Sequence, residues 1–311
     1  MNQSWEKLGR IYVPETAGRH PKLRSHAANP LPVHLEGDVY RVFFSGRDEQ
    51  NRSSVGAVDI DILQRKVVQE HALPFFEHGP EGSFFADGVS IGNCYDVDGE
   101  RYMLFMGWQT PAGGHWRGDI GRLRVKPDLT LELASPKPFM ASNAIDPVSL
   151  SYPWVQARPQ GGFDMWYGST LAWDAGNGEM LHIIQHADSL DGERWNRNGL
   201  AVPYALGKAQ AFSRPTVAMD ANGTYQMWFS YRSGTGETYR IGYASSSDGK
   251  AWQLGLSKAG IAVSPDGWDA EMIEYPFVFD HAGQRYMLYN GNGFGKTGFG
   301  LAVLQNAASA F

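Results

Sequence analysis

Cysteine occurs once in 311 residues, at Cys94, so the chain can form no internal disulfide. Long apolar runs are missing as well: no stretch approaches the ~20 residues that a membrane helix needs. The first residues, MNQSWEKLGR, lack the basic-then-apolar pattern of a secretion signal, so a soluble, cytoplasmic protein is expected. Positive charge is in short supply. Lys and Arg total 27 against 33 Asp and Glu, a formal charge of −6, which argues against a general binder of nucleic acid or acidic membranes while leaving room for a local basic pocket. Cys-x-x-Cys, G-x-x-x-x-G-K-[ST], G-x-S-x-G and strand–helix alternation are all absent, so phosphate-loop and dinucleotide chemistry are unexpected and no cofactor is implied. His182 and His186 in HIIQH align with the strand YRIGY from Tyr239. Four strand residues span about 13 Å, too far for two ligands of one ion, so no metal site is expected.

What the chain does have is 42% apolar residues, 13% aromatics, 10 Trp and 37 Gly, the mixture of short aromatic strands separated by glycine turns. One segment recurs five times: YRVFFSG from Tyr40, YMLFMG from Tyr102, FDMWYG from Phe163, YQMWFS from Tyr225 and YMLYNG from Tyr286, about 61 residues apart. Each copy reads as a buried strand ending on a small residue. A second strand signal precedes every copy (NPLPVHL, DGVSIGN, YPWVQAR, RPTVAMD, YPFVFDH) and a third follows it. SLDGERW from Ser189 and SSDGKAW from Ser246 add an Asp-Gly turn and a Trp capping an outer strand.

A four-stranded meander cannot bury both faces alone, so five of them pack radially as blades. The expected fold is all-β: a five-bladed β-propeller of four-stranded antiparallel blades forming one domain over residues 1–311. The last repeat ends without a fourth strand, and WEKLGRIYVP resembles the missing piece, so residues 5–14 are expected to close that blade.

Segments leading into the first strands converge at one end of such a ring. They read RSHAANP, SFFADG, DPVSLSYP, AFSRP and AEMIEYP, and aligned on the strand start they place Asn29, Asp87, Tyr152, Arg214 and Tyr275 at equivalent positions, with Glu274 one residue earlier. Glu271 and Glu274 near Arg214 read either as an acid and its modulator or as one glutamate pairing with the arginine. Asp87, Glu271 and Glu274 are the candidate catalytic groups, although Asp-Gly is also a common turn. His26 reads as a proton carrier, a hydroxyl ligand or a loop histidine bonded to backbone. Asn29, Arg47, Tyr152, Ser213, Arg214 and Tyr275 are candidate binding residues. Trp108, just beyond its strand, is a stacking platform, whereas Trp166 and Trp228 align with Phe43 and Phe105 and belong to the core.

The five-fold meander, the S-x-D-G-x-x-W turns, the SRP lead-in and E-x-x-E-Y-P resemble the five-bladed propeller glycosidases: glycoside hydrolase families 43, 32, 68 and 130 and their unclassified relatives. The resemblance covers nearly the whole chain and implies an axial active site and a carbohydrate or sugar-containing ligand. Families 43 and 32 carry an Asp leading into blade one, an Asp into blade two and a Glu into blade three; here only Asp87 matches. Blade one offers His26 and Asn29, and blade three offers Ser151 and Tyr152, with Asp146 upstream. HAANP is somewhat like the Asn-Pro of the family 130 phosphorylases, in which phosphate replaces water; Arg24, Arg47 and Arg214 would serve there. The implied activity is cleavage or transfer of a glycosidic bond. A sugar-binding propeller without catalysis and a protein-interaction scaffold are the alternatives.

Overall fold

The computed structural model describes residues 4–14 and 18–305, so both ends of the expected 1–311 domain lie outside the described residues. The chain is all-β, with sheets that are four-stranded antiparallel meanders of propeller type. The first comprises β2 (Ser25–Glu36), β3 (Val39–Arg47), β4 (Ser53–Asp61) and β5 (Lys66–Glu70). The second follows with β6 (Gly88–Val97), β7 (Glu100–Gln109), β8 (Arg117–Val125) and β9 (Leu131–Leu133). These two join into one sheet through a single parallel pairing of Ser53 with Gly88. The third holds β10 (Ser149–Ala157), β11 (Phe163–Ala172), β12 (Leu181–Ser189) and β13 (Asn196–Leu200), and the fourth β14 (Ser213–Met219), β15 (Tyr225–Tyr231), β16 (Arg240–Ser246) and β17 (Gln253–Leu254).

The last sheet is β18 (Glu274–His281), β19 (Gln284–Asn290) and β20 (Phe299–Gln305), and its outer place is taken by β1 (Ser4–Tyr12), which pairs antiparallel with β20. Among the described residues no helix is long and apolar enough to cross a membrane.

The recurrent aromatic segment is the second strand of each meander. Phe43, Phe105, Trp166, Trp228 and Leu288 are buried at its centre, because both sheet faces there are covered by neighbouring sheets. In the Asp-Gly turns, Ser189 Oγ accepts the amide of Gly192 (2.8 Å) while Asp191 accepts those of Glu193 and Arg194. Ser246 and Asp248 repeat the pattern, and Gly192 and Gly249 both take φ of 73°, a left-handed turn conformation that suits glycine. The carbonyl of Gly249 then accepts the indoles of Trp252 (2.9 Å) and Trp166 (2.8 Å), so the turn of one sheet is bonded to the core of the one before it.

Neighbouring sheets are also joined by polar side chains near the end of the second strand. Ser45 Oγ accepts the amide of Ile91 (3.3 Å), Ser230 Oγ that of Tyr275 (2.7 Å) and Asn290 Oδ1 that of Asn29 (2.9 Å). Asn290 thereby ties the last sheet to the first. The innermost strands touch in cyclic order: β2 meets β6, then β10, β14 and β18 follow, and β18 meets β2 again.

Candidate functional site

Near one end of the innermost strands, the first strand of each meander faces the second through the pairs Ala28–Ser45, Ser90–Met106, Ser151–Gly168, Ser213–Ser230 and Glu274–Asn290. Ala28, Ser90, Ser151 and Ser213 all line a single cavity of about 340 Å³. Small side chains at four of the five positions leave the space open, and Glu274 occupies the fifth. Gly168 matters for the same reason: a Cβ there would collide with the Ser151 and His182 side chains.

One residue further on, four innermost strands carry an extra residue ahead of a proline. Asn29, Tyr152, Arg214 and Tyr275 sit where the pairing register slips, with φ of 56°, 35°, 46° and 52°. Left-handed backbone in a non-glycine residue costs on the order of 1–3 kcal/mol, and a following proline disfavours it further. Such bulges re-aim side chains. Asn29, Tyr152 and Tyr275 accordingly line the cavity, together with the expected Arg47, Trp108 and Ser213. The Tyr152 hydroxyl lies 3.4 Å from that of Tyr275.

Asp87, Glu271, Arg214 and His26 lie outside the cavity lining. The second meander has no bulge at this level, since Ser90 and Ile91 stay in register with Met106 and Phe105. Asp87 is therefore not the counterpart of Asn29; its carboxylate accepts the amide of Thr110, just past the end of β7 (2.6 Å), and it does not line the cavity. Glu271 is exposed on a loop held by Asn292, so there is no acid pair. Arg214 is fully buried beneath the site and bonds to backbone rather than to a glutamate: Nη1 donates to the carbonyl of Tyr275 (2.6 Å) and Nη2 to that of Pro30 (2.8 Å). Burial pushes its guanidinium down to about 9. His26 lines a neighbouring groove with Lys296, next to Ser25 Oγ (2.8 Å). Burial first, then Arg47 and Lys296, lower its pKa to about 4.

Glu274 is fully buried, and neither carboxyl oxygen has a hydrogen-bond partner. Desolvation holds its pKa well above the usual carboxylate range against the pull of Arg47 and Arg232. The charged form would act on Tyr152, Tyr239 and Tyr275. All five of those neighbours line the cavity. The carboxyl beside the site therefore holds its proton more strongly than an exposed glutamate does.

Sequence reasoning missed Arg232, Tyr239 and Trp116, and considered His182 only as a metal ligand. Arg232 had a signal: it follows Ser230 by two residues, as Arg47 follows Ser45 and Trp108 follows Met106. It pairs with Glu179 at 2.7 Å. His182 is buried between Ser151 Oγ and Thr170 Oγ1, both at 2.6 Å, and burial lowers it to about 3, so it is neutral. His186 bonds Asp164 at 2.9 Å in a separate cluster. Trp108 and Trp116 both line the cavity with flat apolar faces, and Trp116 meets Trp173 edge to face at 4.8 Å.

No protein-family model matches the chain. It is 45% identical over 306 residues to the uncharacterized protein Rv1502 of Mycobacterium tuberculosis, covering 97% of this chain and 100% of that one, and it belongs to the same family. Among solved structures it is similar to a glycoside hydrolase (TM-score 0.72, 13% identity, 100% of this chain and 94% of the other). It is similar too to a glycosyl hydrolase from Bacteroides ovatus (TM-score 0.69, 11% identity, 97% and 94%). A third likeness is to a structure from work on glycoside hydrolases of family 130 that target β-1,2 mannosidic linkages in Candida mannan (TM-score 0.70, 10% identity, 97% and 94%). The fold is that of the propeller glycosidases.

Proposed function

We propose that the chain is a carbohydrate-active enzyme which cleaves or transfers a glycosidic bond in the axial cavity of a single five-bladed ring. The observation that carries this reading is Glu274, a fully buried carboxyl with no hydrogen-bond partner among the described residues, at the fifth position of a ring whose other four positions are small residues that line the cavity. Glycoside cleavage requires a group that protonates the leaving oxygen, and a carboxyl whose pKa is raised by burial is suited to that task. Tyr152, Tyr239 and Tyr275 present hydroxyls for sugar hydroxyls, and Trp108 and Trp116 offer faces for a pyranose or furanose ring. The glycoside-cleaving neighbours of the same fold support the substrate class.

A second reading, sugar binding without turnover, is favoured by one observation: among the described residues no carboxylate lines the cavity, since Glu274 is buried and not part of the lining and Asp87 and Glu271 lie elsewhere. Glu274→Gln separates the two. The enzyme reading expects turnover of a cleaved glycoside to fall at least 100-fold while the affinity of the unreactive product sugar stays within about threefold. Tight sugar binding with no turnover by the wild type under hydrolytic or phosphorolytic conditions would establish the binding reading instead.

A further inference from the structure

Among the described residues the cavity lining has two charged side chains, Arg47 and Arg232, and no carboxylate. They differ in one respect. Arg232 is neutralised by Glu179 at 2.7 Å, whereas the guanidinium of Arg47 has no ion pair or side-chain hydrogen bond among the described residues. The two carboxylates that follow it in sequence are taken: Asp48 by Arg52 (2.8 Å) and Glu49 by Arg24 (2.9 Å). The acid nearest in effect, Glu274, is buried and unpartnered. Lys296, exposed and likewise without an ion pair among the described residues, lines the groove of His26, and both cations act on that histidine.

A free, half-buried guanidinium is costly to cover. A neutral sugar filling the cavity would strip water from Arg47 and return only hydroxyl acceptors, leaving the charge uncompensated. A planar carboxylate or a phosphate would instead meet the guanidinium in a two-point, charge-assisted pair. The chain as a whole carries −6, so its overall field repels anions and the attraction must be local to this corner. An anion on Arg47 would also oppose ionisation of Glu274, keeping the acid protonated while substrate is bound.

Resting on the carbohydrate reading above, we infer that the ligand is an acidic sugar, one bearing a carboxylate or a phosphate ester, and that Arg47 pairs with that group while the ring lies toward the aromatic faces. The test is calorimetric binding of the full chain to matched sets of glucose, mannose and galactose, their uronates and their 6-phosphates, with inorganic phosphate alone as a further arm. At least one acidic sugar is expected to bind tenfold or more tighter than its neutral parent at low salt, with the uronate and phosphate arms telling the two sources apart. That margin should shrink in 0.5 M NaCl. Arg47→Gln should remove it, bringing the acidic sugar to the affinity of its neutral parent, and Arg47→Lys, which keeps the charge without the fork, should retain part of it.

If Arg47→Gln does not fold, the lysine variant and the salt series carry the test. Equal affinity for neutral and acidic sugars overturns the inference and leaves the carbohydrate reading standing. So does an acidic preference that survives in Arg47→Gln. Binding of inorganic phosphate that competes with no acidic sugar overturns it in favour of phosphate as a co-substrate. Failure of every sugar to bind a folded protein removes the carbohydrate reading and this inference together.

Discussion

Two buried groups beside the cavity set opposite demands on pH. Glu274 is protonated in the folded chain well above 4.5, while the unfolded chain releases that proton near 4.5. A carboxyl raised by folding makes the unfolded state the better acid, so stability declines as pH rises from about 4.5 toward the folded pKa, by up to about 1.4 kcal/mol per pH unit. Glu274→Gln removes that slope. Its melting temperature relative to wild type should climb between pH 4 and pH 7, and a constant difference across that range would show that the acid is not held protonated. His182 works the other way: its folded value near 3 lies below the unfolded 6.5, so its stabilising contribution is whole above 6.5 and drains as pH falls toward 3. His182→Gln should therefore flatten the acid limb of the stability curve below pH 6.5 and leave the neutral limb alone. Guanidinium titrations of each variant at several pH values read both slopes.

At the scale of strands, the polar residues that close the second strands should differ in weight according to how many backbone groups they satisfy. Asn290 is fully buried and bonds three: the amide of Asn29 and the carbonyls of Ala27 and Gly298, all within 2.9 Å. Ser45 accepts one amide, from Ile91, at 3.3 Å. Leaving buried backbone groups unpaired costs about 1–3 kcal/mol each. Asn290→Ala should thus lower unfolding free energy by about 3 kcal/mol or more, and Ser45→Ala by about 1 kcal/mol or less; equal losses in urea unfolding would refute this account. Asn290 was not legible in the sequence, where the small residue closing the fifth repeat reads as Gly291. The meanders themselves were readable because Phe43, Trp166 and their equivalents repeat with the strands that flank them. The site was half readable. Aligning on X-Pro recovered Asn29, Tyr152 and Tyr275, whose bulges share one geometry, but carried Arg214 with them, whose side chain turns beneath the floor. The same alignment misplaced Asp87, because the bulge of β6 comes later, between Ile91 and Cys94, and no proline marks it in the sequence. Glu271 and Glu274 stand three residues apart and look alike until a loop places one in water and a strand start buries the other.

For the whole molecule the decisive contact is made by the first strand. β1 pairs along β20 from Ser4–Gln305 to Tyr12–Phe299, so the last sheet owes its outer strand to the other end of the chain. The contact is more than a ladder of backbone bonds. Trp5 packs edge to face on Trp228 at 5.5 Å, reaching the core of the preceding sheet, and the amide of Trp5 donates to Gly260 (2.9 Å). Lys7 meets Asp269 at 2.7 Å, and that carboxylate is buried with Tyr289 as its second partner at 3.0 Å. Deleting residues 1–14 would expose the edge of β20, uncover Trp228 and leave Asp269 without its cation. Breaking such a buried pair by removing one partner typically costs about 3–5 kcal/mol, and an unpaired apolar edge invites association between chains. The shortened chain should melt well below the full one and sediment as aggregates or larger species. A synthetic peptide of residues 1–14 should restore the melting temperature when added in excess, because binding to the folded state alone stabilises by mass action. Asp269→Asn in the shortened chain should recover part of the loss without peptide, since it removes the orphaned charge. A shortened chain that melts like the full protein would mean that the ring holds its shape without β1, and that the contacts of Trp5 and Lys7 add little to it.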